Sequence, residues 1–315
     1  MAIYTRAALG APLLALASTA CFNINQGPVD LPDLRNDPDV NPPPLVLSRP
    51  DPAGNWDIYS DDLTGFGIPS QTSSDSAIGS KKLTDHPARD EYPSLSPDGL
   101  TVVFQSERAG NWELYVTDTG GALRPTRLTD HPAQDVRPAW SPDGSKIAFA
   151  SDRSGSGIEI YRISPDGAGA AIRLTHRGSV STDPDWSPDG SKLVFSSVDE
   201  SGFSQVYLMN ADGTEQTRLT SAGVASESPV WSRDGSEIAF VRDSEIWVMN
   251  VDGSDPRVLA GEEREFLSAP DWNDSSGDTI GFQLTCCVRP QGVYLYNRVN
   301  GNLVFITAGG QPDWY

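Results

Sequence analysis

The sequence has little of several residues on which common functions depend. Three Cys in 315 residues argue against a disulfide scaffold. Lys and Arg total only 23 against 43 Asp and Glu, a formal charge of −20. A surface of that sign repels a phosphate backbone, which argues against a nucleic-acid binder. Only 37% of the residues are hydrophobic, and outside the N-terminal region no apolar run is long enough to span a bilayer. What the chain has in plenty is 29 Gly and 25 Pro, about one residue in six. That share means many turns and argues against an all-helical protein. The length would ordinarily suggest two domains, although barrels and propellers exceed that size as single units.

The first twenty residues differ from the rest. Arg6 is their only charge, and an apolar run follows from Ala7 to Ala17. This is the length of a secretory hydrophobic region and too short for a membrane span. Residues 1–20 are therefore expected to be a signal peptide. Ser18-Thr19-Ala20-Cys21 resembles the lipobox of bacterial lipoproteins, although Ser18 stands where Leu is usual. The resemblance implies lipid attachment at Cys21. Cleavage by an ordinary signal peptidase remains open, because Ser18 and Ala20 also fit a small-x-small site. Phe22, rather than Asp, follows Cys21. In Gram-negative lipoproteins that residue implies the outer membrane, so the expected location is its periplasmic face or the cell surface. Residues 21–44, with Pro28, Pro32, Pro38, Pro42, Pro43 and Pro44 among Asp and Asn, read as an extended tether.

Residues 45–315 repeat. Pro93-Ser94-Leu95-Ser96-Pro97-Asp98-Gly99 returns as Pro138-Ala139-Trp140-Ser141-Pro142-Asp143-Gly144, and again from Pro184 and Pro229; shorter copies start at Pro270 and Pro312. The spacing stays near 45 residues, the period of a propeller blade. Within each unit a Ser-Pro-Asp-Gly turn precedes a continuous apolar run such as Ile147-Ala148-Phe149. Such a run suits a strand covered on both faces. A polar turn, a strand such as Glu159-Ile160-Tyr161, an Asp-Gly turn and a closing Arg-Leu-Thr follow. That makes four antiparallel strands per unit. The first unit lacks its opening Pro-x-Trp strand, and Pro312-Asp313-Trp314-Tyr315 supplies one at the far end. The expectation is an all-β, six-bladed β-propeller closed by pairing the C-terminal strand with the N-terminal blade. The first unit also carries an insertion from Gly65 to Ser80, rich in Ser and Gly.

These motifs, together with Leu83-Thr84-Asp85-His86-Pro87 and Leu128-Thr129-Asp130-His131-Pro132, resemble the TolB-type propeller repeat over about 85% of the chain. The resemblance implies a TolB-like propeller lipoprotein. TolB carries an α/β domain before its propeller, for which residues 22–44 leave no room. The same repeats occur in peptidase accessory domains and in some lyases, so the fold does not fix the function.

Few residues invite a catalytic reading. His86, His131 and His176 lie in or near linkers between units, and His86 and His131 belong to the Asp-His-Pro turn. No metal is assigned to them. The Asp-Gly turns lack the Asp ladder and distal Glu of a calcium loop. Cys286 and Cys287 are adjacent and read as a vicinal disulfide or buried thiols, without the Cys-x-x-Cys of a redox site. No Gly-x-Ser-x-Gly elbow occurs. The expectation is no enzyme, no catalytic residue and no cofactor. The best candidate surface is the channel mouth, where the inner strands start: Arg89, Asp90, Glu91, Tyr92, Asp135, Arg137, Asp183, Ser228 and Gln311. These differ from unit to unit within an otherwise regular ring, as a site for a particular partner would. The expected protein is an exported, monomeric scaffold binding a protein or cell-envelope polymer, not nucleic acid, and touching the membrane only through its lipid. The alternatives are a metal-dependent lyase or hydrolase with its site in the funnel, and a structural envelope protein without a discrete ligand.

Overall fold

The computed structural model describes residues 45–51, 54–61, 80–221, 223–260, 265–272, 279–286, 292–298, 303–307 and 310–314. The expected signal peptide, Cys21, the tether, residues 65–79 of the insertion, and Cys287 lie outside the described residues. Those residues form 24 strands, and no helix occurs among them.

Blade I holds β1 (Leu45–Pro50), β2 (Trp56–Asp61) and β3 (Ser80–Lys82). Blade II holds β4 (Asp90–Leu95), β5 (Thr101–Ser106), β6 (Glu113–Asp118) and β7 (Thr126–Arg127). Blade III holds β8 (Asp135–Trp140), β9 (Ile147–Ser151), β10 (Glu159–Ile163) and β11 (Ile172–Arg173). Blade IV holds β12 (Ser181–Trp186), β13 (Lys192–Val198), β14 (Ser204–Asn210) and β15 (Thr217–Arg218). Blade V holds β16 (Ser226–Trp231), β17 (Glu237–Arg242), β18 (Glu245–Asn250) and β19 (Arg257–Ala260). Blade VI holds β20 (Glu265–Trp272), β21 (Thr279–Cys286), β22 (Gly292–Asn297) and β23 (Leu303–Thr307), and β24 (Gly310–Trp314) follows. Every sheet has four antiparallel strands, and the first runs β24-β1-β2-β3. Leu45 lies opposite Trp314 in it, and Leu47 opposite Pro312. Each inner strand touches the next around the channel, and β24 touches both β20 and β4. The fold is a six-bladed β-propeller.

The hydrophobic core is divided into six layers, one per seam. Val103 and Leu114 of blade II meet Ile147, Phe149 and Tyr161 of blade III. Ala148, Ile160 and Leu174 of blade III meet Trp186, Phe195 and Met209 of blade IV. The seam between blades VI and I joins Val293 and Leu295 to Leu45 and Leu47. This arrangement explains the continuous apolar runs: all of β9 is buried because a blade covers each of its faces. Burying a side chain such as Phe149 stabilises by roughly 1.5–3 kcal/mol.

The repeated turns set the spacing. Ser141 Oγ donates to Asp143 Oδ1 at 2.6 Å, and Asp143 Oδ1 accepts the Ser145 amide at 2.9 Å. Gly144 takes φ +68, and its face lies against Pro97 of the preceding blade's turn. At the Asp-Gly turn the approach is closer. A Cβ on Gly213 would lie 2.5 Å from the Leu174 carbonyl oxygen of blade III, so only glycine fits.

Candidate functional site: the mouth of the central channel

The linkers between blades and the turns between second and third strands lie at the same end of the ring. Hydrogen bonds join them: the Asp135 amide donates to the Trp112 carbonyl at 2.9 Å, and the Ser181 amide to the Ile158 carbonyl at 2.8 Å. Here the Asp-His-Pro turn finds its use. His86 Nδ1 accepts the Ala88 amide and His131 Nδ1 the Ala133 amide, at 3.1 and 3.0 Å. His176 is exposed. Among the described residues, no group of three or more His, Cys, Asp or Glu is placed to hold a metal ion.

Each inner strand is broken at one point. Pairing of β4 with β5 skips between Glu91 and Ser94, and β8, β12 and β16 skip at the equivalent place. The skipped dipeptide is always X-Pro. Proline has no amide to give the ladder, and by itself it favours extended backbone in the residue before it. That residue adopts the left-handed region instead: Tyr92 at φ 51, Arg137 at 56, Asp183 at 51 and Ser228 at 52. Each such residue costs on the order of 1–3 kcal/mol. The preceding blade meets part of the cost, because the Arg137 amide donates to Gln105 Oε1 at 3.0 Å and the Ser228 amide to Ser196 Oγ at 2.9 Å.

The kink turns these side chains toward the channel, where three consecutive blades touch. The Arg137 guanidinium lies 3.5 Å from the Tyr92 ring centre. It also pairs with Asp183 at 2.9 Å. The Arg137 side chain remains 34% exposed. Glu227 is open to the same channel. The surrounding walls, with Asp183 adding to them, hold its carboxyl above the usual range against the pull of Arg137. Glu91 is nearly buried and pairs with Arg89. Burial pushes its carboxyl up, and the Arg89 charge opposes that. Arg89 also faces the Trp112 ring at 6.0 Å. Deeper in the channel, Asp185 accepts the Trp231 amide at 2.7 Å. Desolvation raises its pKa to about 7; the Trp231 amide pulls it down and the Asp271 charge adds to the rise.

The sequence-derived site therefore divides. Tyr92, Arg137 and Asp183 are brought into contact, with Ser228 at the equivalent position of the next blade. Asp90 and Asp135 belong elsewhere. Both carboxylates are fully buried, held by Arg108 at 2.8 Å and Arg153 at 2.5 Å. They face their own blade's second strand, so they are clamps inside the fold rather than surface at the mouth. Each arginine in turn lies over a stacked aromatic pair, Arg108 over Phe104 and Tyr115, and Arg153 over Phe149 and Tyr161. Gln311 lies within β24. Local sequence missed Glu227, Gln105 and Ser196. Their position beside each X-Pro break follows only from the register of neighbouring strands.

Comparison with known proteins accords with this geometry. The TolB beta propeller domain matches residues 75–172 and 159–273. The chain belongs to that family. Among solved structures, a putative TolB from Agrobacterium tumefaciens is 24% identical, over 72% of this chain and 84% of that one, with a TM-score of 0.64. TolB from Acinetobacter baumannii is 19% identical, over 86% of this chain and 66% of that one, with a TM-score of 0.69. An oligogalacturonate lyase in complex with manganese is 16% identical, over 84% of this chain and 73% of that one, with a TM-score of 0.53. At these identities the likeness is one of fold. No curated protein matches the chain. This TolB-type propeller thus shares its scaffold with TolB proteins and with an enzyme, and its own site must carry the functional argument.

Proposed function

We propose that the protein is an exported, lipid-anchored TolB-type propeller that acts as a binding scaffold in the cell envelope. An extended segment of a protein or envelope polymer is held at the linker end of its channel. The observation that carries this reading is the row of left-handed residues at the mouth. Backbone strain is kept in four blades at one equivalent position, where the side chains differ as Tyr92, Arg137, Asp183 and Ser228, and strain of this kind clusters at binding and switch sites. The apolar run before Cys21 supports export and anchoring, with residues 1–20 as signal peptide, 21–44 as tether and 45–315 as propeller.

Two measurements test the proposal. A Cys21→Ala form is expected in the soluble envelope fraction, and unchanged membrane retention overturns the anchor. A photo-crosslinking residue at Ser228 is expected to capture a defined partner in the native envelope, with capture reduced about tenfold by Arg137→Ala. Capture that is absent, or indifferent to Arg137, overturns the mouth as the binding site.

A further inference from the structure

The linker end differs between neighbouring blades. At blade II polar side chains tie the turn to the linker that follows it. Asn111 donates to the His131 and Ala133 carbonyls at 2.8 and 2.7 Å, and Gln134 Oε1 accepts the Trp112 amide at 2.8 Å. In blade IV the residue at the place of Asn111 is Phe203, and the residue at the place of Gln134 is Val180. Both are exposed, at 42% and 41%, and Val224 in the following linker is 37% exposed.

These three residues meet on one hairpin end. The Val180 carbonyl accepts the Val198 amide, and the Phe203 carbonyl accepts the Asp199 amide, each at 2.9 Å. The Val224 carbonyl accepts Gln205 Nε2 at 2.9 Å. Exchanging bridging polar side chains for apolar ones left in water gains nothing for the fold, and a grouped exposed apolar surface marks an interaction site. Two carboxylates flank it, Glu200 on the same turn and Glu227 at the mouth, and neither is within ion-pair distance of a cation among the described residues. The nearby cations are engaged: Arg218 with Asp199 at 3.3 Å, Arg137 with Asp183 at 2.9 Å, and Arg177 with Ser197 and over Tyr207 at 4.0 Å.

We infer that the partner's segment leaves the mouth across blade IV and is both apolar and basic. An apolar side chain seats on Val180, Phe203 and Val224, and Lys or Arg side chains face Glu200 and Glu227. This rests on the mouth reading above and adds the partner's chemistry and path.

The test uses the full-length protein and a fluorescein-labelled peptide, Gly-Lys-Leu-Phe-Lys-Val-Lys-Gly, followed by anisotropy. A peptide with Glu at each Lys position is the comparison. The basic peptide is expected to bind and the acidic one not. Phe203→Ser should weaken binding about tenfold, the scale of losing one buried anchor. Glu227→Gln should weaken it several-fold and flatten its salt dependence. Leu123→Ser, which removes a comparably exposed side chain at the opposite end, should leave it unchanged. Circular dichroism checks that each variant is folded. Equal binding of both peptides, no binding of either, or indifference to Phe203→Ser overturns the inference. Partner capture at Ser228 that persists in the Phe203→Ser form leaves the mouth reading standing and removes only the path across blade IV.

Discussion

Blades II and III close their inner edge differently from blades IV and V. In the first two, a buried aspartate on the inner strand, Asp90 or Asp135, holds an arginine that caps a stacked Phe–Tyr pair. In blade IV the aspartate is replaced by Ser181, and the cap comes from the linker as Arg177, which donates to Ser197 at 3.0 Å. In blade V the arginine is Arg242, at the place of Ser106 and Ser151; it lies over Phe240 and Trp247, and its inner-strand partner is Ser226. Burial lowers the Arg242 pKa, and the charge of the neighbouring Asp243 opposes it. A cation over the aromatic pair is thus shared, over both rings in blades II, III and V and over Tyr207 alone in blade IV, and the buried carboxylate is optional. The half with the carboxylate is committed to its ion pair, because a buried charge stripped of its partner is costly.

The largest expected effect tests that commitment. Arg153→Ala leaves Asp135 buried and unpaired and should cost about 3–5 kcal/mol, read by urea unfolding. Arg242→Ala loses two cation–π contacts and a hydrogen bond to a neutral hydroxyl but strands no buried charge, and should cost about 1–2 kcal/mol. Ser226→Asp should then raise the cost of Arg242→Ala to about 3 kcal/mol by installing the missing dependence. Equal costs for Arg153→Ala and Arg242→Ala would break the comparison.

The next effect runs the other way across the same blades. If blades II and III were simply the tighter half, Gly167→Ala in blade III would cost more than Gly213→Ala in blade IV. Geometry reverses the order. Both glycines have positive φ, but an added Cβ would lie 3.3 Å from the Leu128 oxygen at Gly167 and 2.5 Å from the Leu174 oxygen at Gly213. Expected costs are about 1–2 kcal/mol for Gly167→Ala and about 2–4 kcal/mol for Gly213→Ala, measured as shifts in urea midpoint.

The smallest effect is one the two halves should share. Hydrogen bonds from Ser141 and Ser145, side chain and backbone, hold the Asp143 carboxyl at about 2. Ser187 and Ser191 do the same for Asp189. A folded pKa below the ordinary 3.8 contributes stability that is complete above that value and is lost as pH falls toward 2. Asp143→Asn and Asp189→Asn should therefore flatten the acid limb of thermal stability by equal amounts and leave its shape above pH 5 unchanged. Unequal flattening would show that the turns, too, differ between the halves.

Much of the fold could be read in the sequence because its signals are local. Ser-Pro-Asp-Gly fixes a turn within four residues, and the six repeat copies that start at Pro93, Pro138, Pro184, Pro229, Pro270 and Pro312 count the blades. The site was less legible. Asp90 and Asp135 stand beside the mouth in sequence, yet their partners Arg108 and Arg153 come from another turn. The one signal was the equal separation of 18 residues in both pairs, absent from blades IV and V. The left-handed turn at Tyr92, Arg137, Asp183 and Ser228 was likewise hidden. It coincides with a missing rung in the ladder, whereas the following proline alone predicts extended backbone.

The contact of Arg137 with both Tyr92 and Asp183 has a consequence for how the ring is tied together. Elsewhere each seam joins two blades, by an apolar layer and by hydrogen bonds such as that of the Arg137 amide to Gln105 Oε1. This trio runs around the circumference and spans blades II, III and IV with a single shared cation. Any group that draws Arg137 away from Asp183 also strips Tyr92 of its charge partner. An event at one blade of the mouth is thereby felt at two others, without any strand having to move.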